Sequence, residues 1–345
     1  MSFRPLSWLV MAAAAVAVSM PLVGCSPADE DEVNLYSARQ ENLIQPLLEQ
    51  FTEETGIQVN LVTGSADSLL QRLRHEGRNS PADVLITADA ARLHQAKQTG
   101  VLQAIESDVL NENIPERYRD PEGEWYGLSL RARPILYHKD RVDPEDLSTY
   151  EALTDEKWED RICVRSSDNV YNQSLVAAMI ATEGAEAAEA WAEGIVNNMA
   201  RRPQGGDRDQ IRAVADGVCD IAIANTYYLG LMLDGDGRDR QVAEQIGVFW
   251  PNQDDRGTHV NISGAGVTAH APNRENAIRL LEFLTSQEAQ QWYAEANQEY
   301  PIRDDVPASE ILQGFGEFES DDIELHLLGD NNSEAVRIMD RVRWR

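Results

Sequence analysis

The chain has 345 residues, 30 basic against 59 acidic side chains, a formal charge of −29, 42% apolar residues, 22 Gly and 14 Pro. That composition excludes a low-complexity, fibrous or disulfide-framework protein, and the length suits two globular units, each large enough for its own core. The charge repels phosphate backbones and anionic membrane surfaces, which speaks against nucleic-acid binding; a cationic ligand or a solvated acidic surface suited to salty media accounts for it.

In chain order, residues 1–24 read as a secretory signal peptide: a basic Arg4, then an apolar stretch from Trp8 through Val18, too short for a spanning helix. The end, Leu22-Val23-Gly24-Cys25, resembles the lipobox of bacterial lipoproteins, which implies a lipidated Cys25, with Ser26 favouring the outer membrane. A conventional cleaved signal with an incidental Cys is the alternative. Residues 25–32 are then a short polar tether. No later stretch has the roughly 18–20 apolar residues of a spanning helix, so the membrane is reached only through the lipid.

From Val33 the pattern alternates strands and helices. Val33–Tyr36 is strand-like; Leu43, Ile44, Leu47, Leu48 and Phe51 share one helical face, with Pro46 tolerable in the first turn. The spacing then predicts a strand over Ile57–Val62, a helix over Ala66–Glu76, a strand over Asp83–Thr87 and a helix over Ala90–Gln98 closed by Gly100, together a parallel sheet covered by helices. A long extended stretch, Tyr126–Tyr137, carries Pro134. Beyond it come a strand at Cys163, helices over Ser174–Ile180, Ala185–Ile195 and Asp209–Asp216, strands over Asp220–Ala224 and Ile246–Trp250, an extended run His259–Thr268 and a helical tail. Two extended stretches bracketing a complete α/β unit imply two lobes joined by two crossing strands, with the ligand in the cleft. Cys163 and Cys219, in an oxidising compartment, are either bridged or two buried thiols on neighbouring strands.

Familiar catalytic signals are absent: there is no phosphate loop, His-Glu-x-x-His, Cys-x-x-Cys or nucleophile elbow, so an enzyme is not expected. Gly264-Ala265-Gly266 lacks the setting of a dinucleotide fingerprint, and Asp234-Gly235-Asp236-Gly237-Arg238 is a turn lacking the later Glu of a calcium loop. The six histidines have no paired metal spacing. Tyrosine stands out instead. Tyr227 and Tyr228 follow a strand ending at Ala224, and Tyr171 follows the strand at Cys163, at the ends of strands where ligands bind. Phenolate is a hard oxygen donor, and a trivalent hard cation displaces its proton despite a free pKa of ~10, so converging tyrosines suit Fe(III). Packing aromatics with wet hydroxyls are the competing explanation.

Several segments together resemble the periplasmic ferric-iron-binding proteins of iron ABC importers: Tyr36-Ser37-Ala38-Arg39, Ser80-Pro81-Ala82-Asp83-Val84, Tyr171-Asn172-Gln173-Ser174, Gly206-Asp207-Arg208-Asp209-Gln210, Asn225-Thr226-Tyr227-Tyr228-Leu229-Gly230 and Asn261-Ile262-Ser263-Gly264-Ala265-Gly266. The match runs in order through nearly the whole mature chain. It implies an α/β, two-lobed periplasmic-binding-protein fold of type II with two crossover hinge strands, lobe one comprising residues 33–128 and 264–345 and lobe two 129–263, part of the tail being free to pack on lobe two. It implies Fe(III) as cargo, an ABC permease and its ATPase as partners, a monomeric state, and Tyr171, Tyr227 and Tyr228 as ligands.

The first lobe departs from that pattern. Where many members carry His-Tyr or a single Tyr, this chain has Gln40-Glu41. Glu41 and Gln40 either donate oxygens to Fe(III) or are helix-start residues, Glu41 serving the dipole. Arg39, Arg131 and Arg133 are candidates to hold a charge-balancing anion such as carbonate, against ordinary salt-bridging on an acidic protein. A small organic anion is the alternative ligand.

Overall fold

The structure, a computed structural model, describes Met1 and residues 31–345. The signal segment, Cys25 and Ser26 lie outside the described residues, in which no helix is long and apolar enough to cross a membrane.

The first half folds as the alternating pattern predicts. β1 (Glu32–Ser37) leads to α1 (Gln45–Thr55), whose Leu47, Leu48 and Phe51 are buried and which Gly56 closes at a left-handed φ of 76°. β2 (Gln58–Thr63), α2 (Ala66–Glu76), β3 (Val84–Thr87) and α3 (Ala90–Gln98) follow. Ser65 caps α2 and Asp89 caps α3, each accepting from the helix's own backbone N–H. After α4 (Asp108–Asn113), the long extended stretch is two strands: β4 (Tyr126–Ala132) and β5 (Ile135–His138). They belong to different sheets. Pro134 has no N–H for a ladder, so the strand stops there and the chain changes sheet.

The second half adds β6 (Ile162–Cys163), α5 (Val170–Glu183), α6 (Ala185–Asn197), α7 (Asp207–Ala215), β7 (Ile221–Ile223), α8 (Thr226–Asp234), α9 (Gly237–Ala243) and β8 (Ile246–Phe249). β9 (Val260–Val267) then returns to the first sheet, followed by α10 (Arg274–Leu284), α11 (Gln287–Asn297), β10 (Tyr300–Pro301), α12 (Glu310–Gln313), α13 (His326–Asp330) and α14 (Asn332–Arg341).

Strand order is β10-β4-β9-β3-β1-β2 in one sheet and β6-β7-β5-β8 in the other. The first contains the parallel unit that the sequence pattern predicts from β1, β2 and β3, but within a mixed sheet. β1 runs parallel to β2 and β3, but β9 inserts antiparallel between β3 and β4. The reason is directional: β9 re-enters from the other lobe and meets the strands from the opposite end.

The two crossings are tied to each other. Arg133 N donates to His259 O at 3.0 Å; the buried Tyr150 hydroxyl donates to Arg133 O at 2.7 Å and accepts from His259 N at 3.2 Å. The tail spans both halves, α13 packing on α3 and α5 and α14 on α5 and α6. Cys163 and Cys219 form a disulfide, with Cα atoms 5.9 Å apart, inside the apolar cluster of Leu136, Ile211, Val214 and Met232.

Candidate metal centre

β6 and β7 are parallel neighbours, so the chain leaves both at the same edge. β7 leads at once into α8, putting Tyr227 and Tyr228 in the first turn; β6 leads through residues 164–169 into α5, putting Tyr171 in its first turn. The sheet therefore brings together residues 56 positions apart, and the Tyr171 and Tyr227 hydroxyls lie 3.4 Å from each other. The Tyr227 and Tyr228 rings lie 4.1 Å apart between centroids, tilted by 32°. Hard cations bind oxygen at about 2 Å, so two oxygens at this separation can share one ion. Both helices also turn their N-termini toward this edge, and the positive ends of their dipoles favour negative charge there.

Electrostatics set the resting protonation. Burial, then the neighbouring Tyr171 and Tyr228, push the Tyr227 phenol well above its ordinary range, and burial followed by Asp207 raises Tyr228. Both phenols are therefore protonated at neutral pH. A cation strong enough to displace those protons would meet three phenolates in one place. Among the described residues no three His, Cys, Asp or Glu side chains form an alternative metal cage.

The first sheet sends Arg131 into this region. Its guanidinium lies 5.7 Å from the Tyr171 ring centroid and 5.8 Å from that of Tyr227. Nη1 donates to Ala88 O at 2.6 Å, Nη2 to Ser263 Oγ, and Glu299 lies 3.7 Å away. Burial works against the Arg131 charge, yet Glu299 and the three tyrosines raise its pKa. Arg39 is engaged differently: it pairs with Glu299 at 2.9 Å and donates to Ser263 Oγ at 2.6 Å. Burial alone would raise the Glu299 carboxyl, but Arg39 and Arg131 hold it below the usual range. Arg133 faces Asp207 at 3.5 Å and the side chains of Asn172 and Asn225. Gln40 and Glu41 are exposed, Glu41 opening a short 3-10 turn, and neither side chain has a hydrogen-bond or ion-pair partner among the described residues.

Sequence reasoning missed Arg165, Asp207 and Glu299. Arg165 pairs with Asp207 at 2.7 Å, and its position just past β6 was the available signal. Glu299 gave none, being 260 residues from Arg39.

Residues 79–313 match the family described as bacterial extracellular solute-binding protein. The chain belongs to that family. Among the relatives of this solute-binding protein is the Iron uptake protein A1 of Synechocystis sp., 50% identical over 93% of this chain and 89% of the relative. Among solved structures, the Trichodesmium protein IdiA (FutA), in complex with iron and citrate ligands, is 48% identical with a TM-score of 0.86, covering 91% of this chain and all of that one. The ferric binding protein from Campylobacter jejuni is 41% identical with a TM-score of 0.88 over the same shares. Those neighbours share the two-lobed architecture, so the solute-binding protein has two lobes with a cleft between them.

Proposed function

We propose that this protein captures Fe(III) outside the cytoplasm, in the periplasm, and hands it to an ABC permease driven by its ATPase. The observation that carries the reading is the convergence of three tyrosines, with the Tyr171 and Tyr227 hydroxyls 3.4 Å apart, at the ends of two parallel strands. The iron uptake protein of Synechocystis, the Trichodesmium protein in complex with iron and citrate, and the ferric binding protein of Campylobacter jejuni support it.

In this reading Tyr171, Tyr227 and Tyr228 bind the ion as phenolates, each giving up a proton. Lobe two, residues 129–263, binds first; lobe one, residues 33–128 with 264–345, closes over it and excludes water, and the permease distinguishes closed from open. All three arginines face a carboxylate, Arg131 at the longest distance, 3.7 Å from Glu299; a synergistic anion such as carbonate is assigned to Arg131 because it alone also faces two of the phenol rings. Glu41 and Gln40 complete the shell from lobe one only on closure. Reduction to Fe(II), which phenolates hold less firmly, and protonation both favour release. The protein acts as a monomer tethered through a lipid on Cys25, on the outer membrane by the Ser26 signal.

The test is the visible spectrum of the metal-stripped mature protein during titration with chelated Fe(III). A broad phenolate-to-iron band growing to one equivalent and vanishing with dithionite is expected. A colourless protein would overturn the reading and favour a small organic anion.

A further inference from the structure

A guanidinium presents five N–H groups in a rigid plane, so it can hold two oxygens at a fixed separation, as an ammonium cannot. Arg133, 2% exposed at the crossing between β4 and β5, uses its fork in this way. Nη1 donates to Asn225 Oδ1 at 2.9 Å and Nη2 to Asn172 Oδ1. Asn225 is the residue on which α8 starts, two before Tyr227; Asn172 is the residue after Tyr171. One side chain thus grips both tyrosine-bearing segments, which lie 92 and 39 residues from it in sequence.

The two asparagines are committed to this grip. An Asn at a helix start ordinarily turns its oxygen onto the helix's own amides. Asn169 does so for α5, but Asn225 makes no such cap, and its oxygen goes to Arg133. Its Nδ2 is buried without a partner, a cost tolerated in that orientation. Asn172 donates through Nδ2 to Arg165 O at 2.8 Å and Ser166 O at 3.2 Å, so the amide that meets Arg133 also closes the loop leading to Tyr171. Asp207, fully buried, stands 3.5 Å from Arg133 and 2.7 Å from Arg165. It supplies the counter-charge that burial of Arg133 would otherwise leave uncompensated, and ties in the partly exposed Arg165. The backbone of Arg133 is fixed as well, through His259 and Tyr150.

We infer that Arg133 is a positioning residue for the tyrosine centre: its fork clamps Asn172 and Asn225 and so holds the Tyr171 and Tyr227 hydroxyls at a shared-ligand separation before any ion arrives. The inference rests on the Fe(III) reading above. Arg133 touches no ion; it acts through the two asparagines. Its contribution is preorganisation, since a centre whose donors are already placed loses less freedom on binding. The clamp is anchored in the crossing, so the phenols stay in register with the axis about which the lobes close.

The experiment compares wild type, Arg133→Lys, Arg133→Gln, Asn225→Ala and Tyr227→Phe, each as the full mature chain titrated with Fe(III) supplied as its citrate chelate. Thermal melting and near-ultraviolet circular dichroism report folding. Arg133→Lys keeps the charge opposite Asp207 but lacks the rigid planar fork that fixes the separation of the two carbonyls. It is expected to bind about 10- to 100-fold more weakly, with a displaced phenolate-to-iron band, the range found when outer-shell partners of metal ligands are changed. Arg133→Gln should do the same or worse. Asn225→Ala removes one arm only and leaves the Arg133–Asp207 pair intact, so it tests the clamp even if the arginine variants do not fold, and a smaller loss with the same direction of band shift is expected. Wild-type affinity and an unmoved band in Arg133→Lys and Asn225→Ala would overturn the clamp while leaving the ferric centre standing. A wild type without any tyrosinate band would instead overturn the ferric reading, and the clamp with it.

Discussion

The two sides of the cleft are built on opposite principles. On the tyrosine side, the three proposed donors sit in the first turns of α5 and α8, buried or half-buried, with the Tyr227 and Tyr228 rings in contact and the Arg133–Asp207–Arg165 cluster beside them. On the side proposed to face it, Gln40 and Glu41 are exposed at a short turn, their side chains without a partner among the described residues, while Arg39 next to them is locked to Glu299. A rigid wall facing an adaptable one is what a binding protein needs if one lobe is to select the ion and the other only to cover it. The side that is expensive to disturb is then the selective side.

The largest break in this comparison should come from Tyr227→Phe combined with Tyr228→Phe. Loss of two phenolates should take Fe(III) binding below what a citrate-chelate titration detects and abolish the coloured band, with little change in melting temperature. Retained binding would mean that the tyrosine side is packing alone.

Acid should come next. The Tyr227 and Tyr228 phenols are pushed above their ordinary pKa in the metal-free protein, so they are protonated at neutral pH and must lose their protons when the ion binds. Affinity therefore rises with pH and falls with acidity, and a pH-stat should record proton release as the ion binds, with Tyr227 and Tyr228 each contributing one. A release near zero would show that the phenols stay neutral and only donate hydrogen bonds.

Glu41→Gln sharpens the contrast from the other side. An exposed, unbraced carboxylate should matter less than any tyrosine, lowering affinity by less than about tenfold, or about 1.4 kcal/mol. A loss rivalling that of a tyrosine would make lobe one an equal partner in ligation.

The smallest effect on iron should come from Cys163→Ala with Cys219→Ala. The 56-residue loop that the disulfide closes stabilises the fold by roughly 4 kcal/mol on chain-entropy grounds. Denaturant unfolding should therefore shift markedly while the visible band stays put.

Much of this was legible in the sequence for a simple reason. Apolar spacing marks helices and strands locally, and Tyr171, Tyr227 and Tyr228 follow strand-like runs whose ends are where ligands gather. What could not be read is whatever depends on non-local pairing. The parallel sheet expected from β1, β2 and β3 becomes mixed because β9 returns from the other lobe. The stretch Tyr126–Tyr137 reads as one extended run carrying Pro134, and only the fold breaks it there and places β4 and β5 in different sheets. Arg133 and Arg39 looked alike as candidate anion holders; their engagement with Asp207 and Glu299 is visible only once distant segments meet.

The hydroxyl of Tyr150 has a consequence for how such a molecule moves. By accepting from one crossing and donating to the other, it welds two separate linkers into a single torsion element. Two independent linkers would let the lobes twist, shear and slide; a welded pair leaves chiefly one rotation. The closure proposed above would then follow one coordinate, and each opening would return the phenols to the same place relative to the opposite wall.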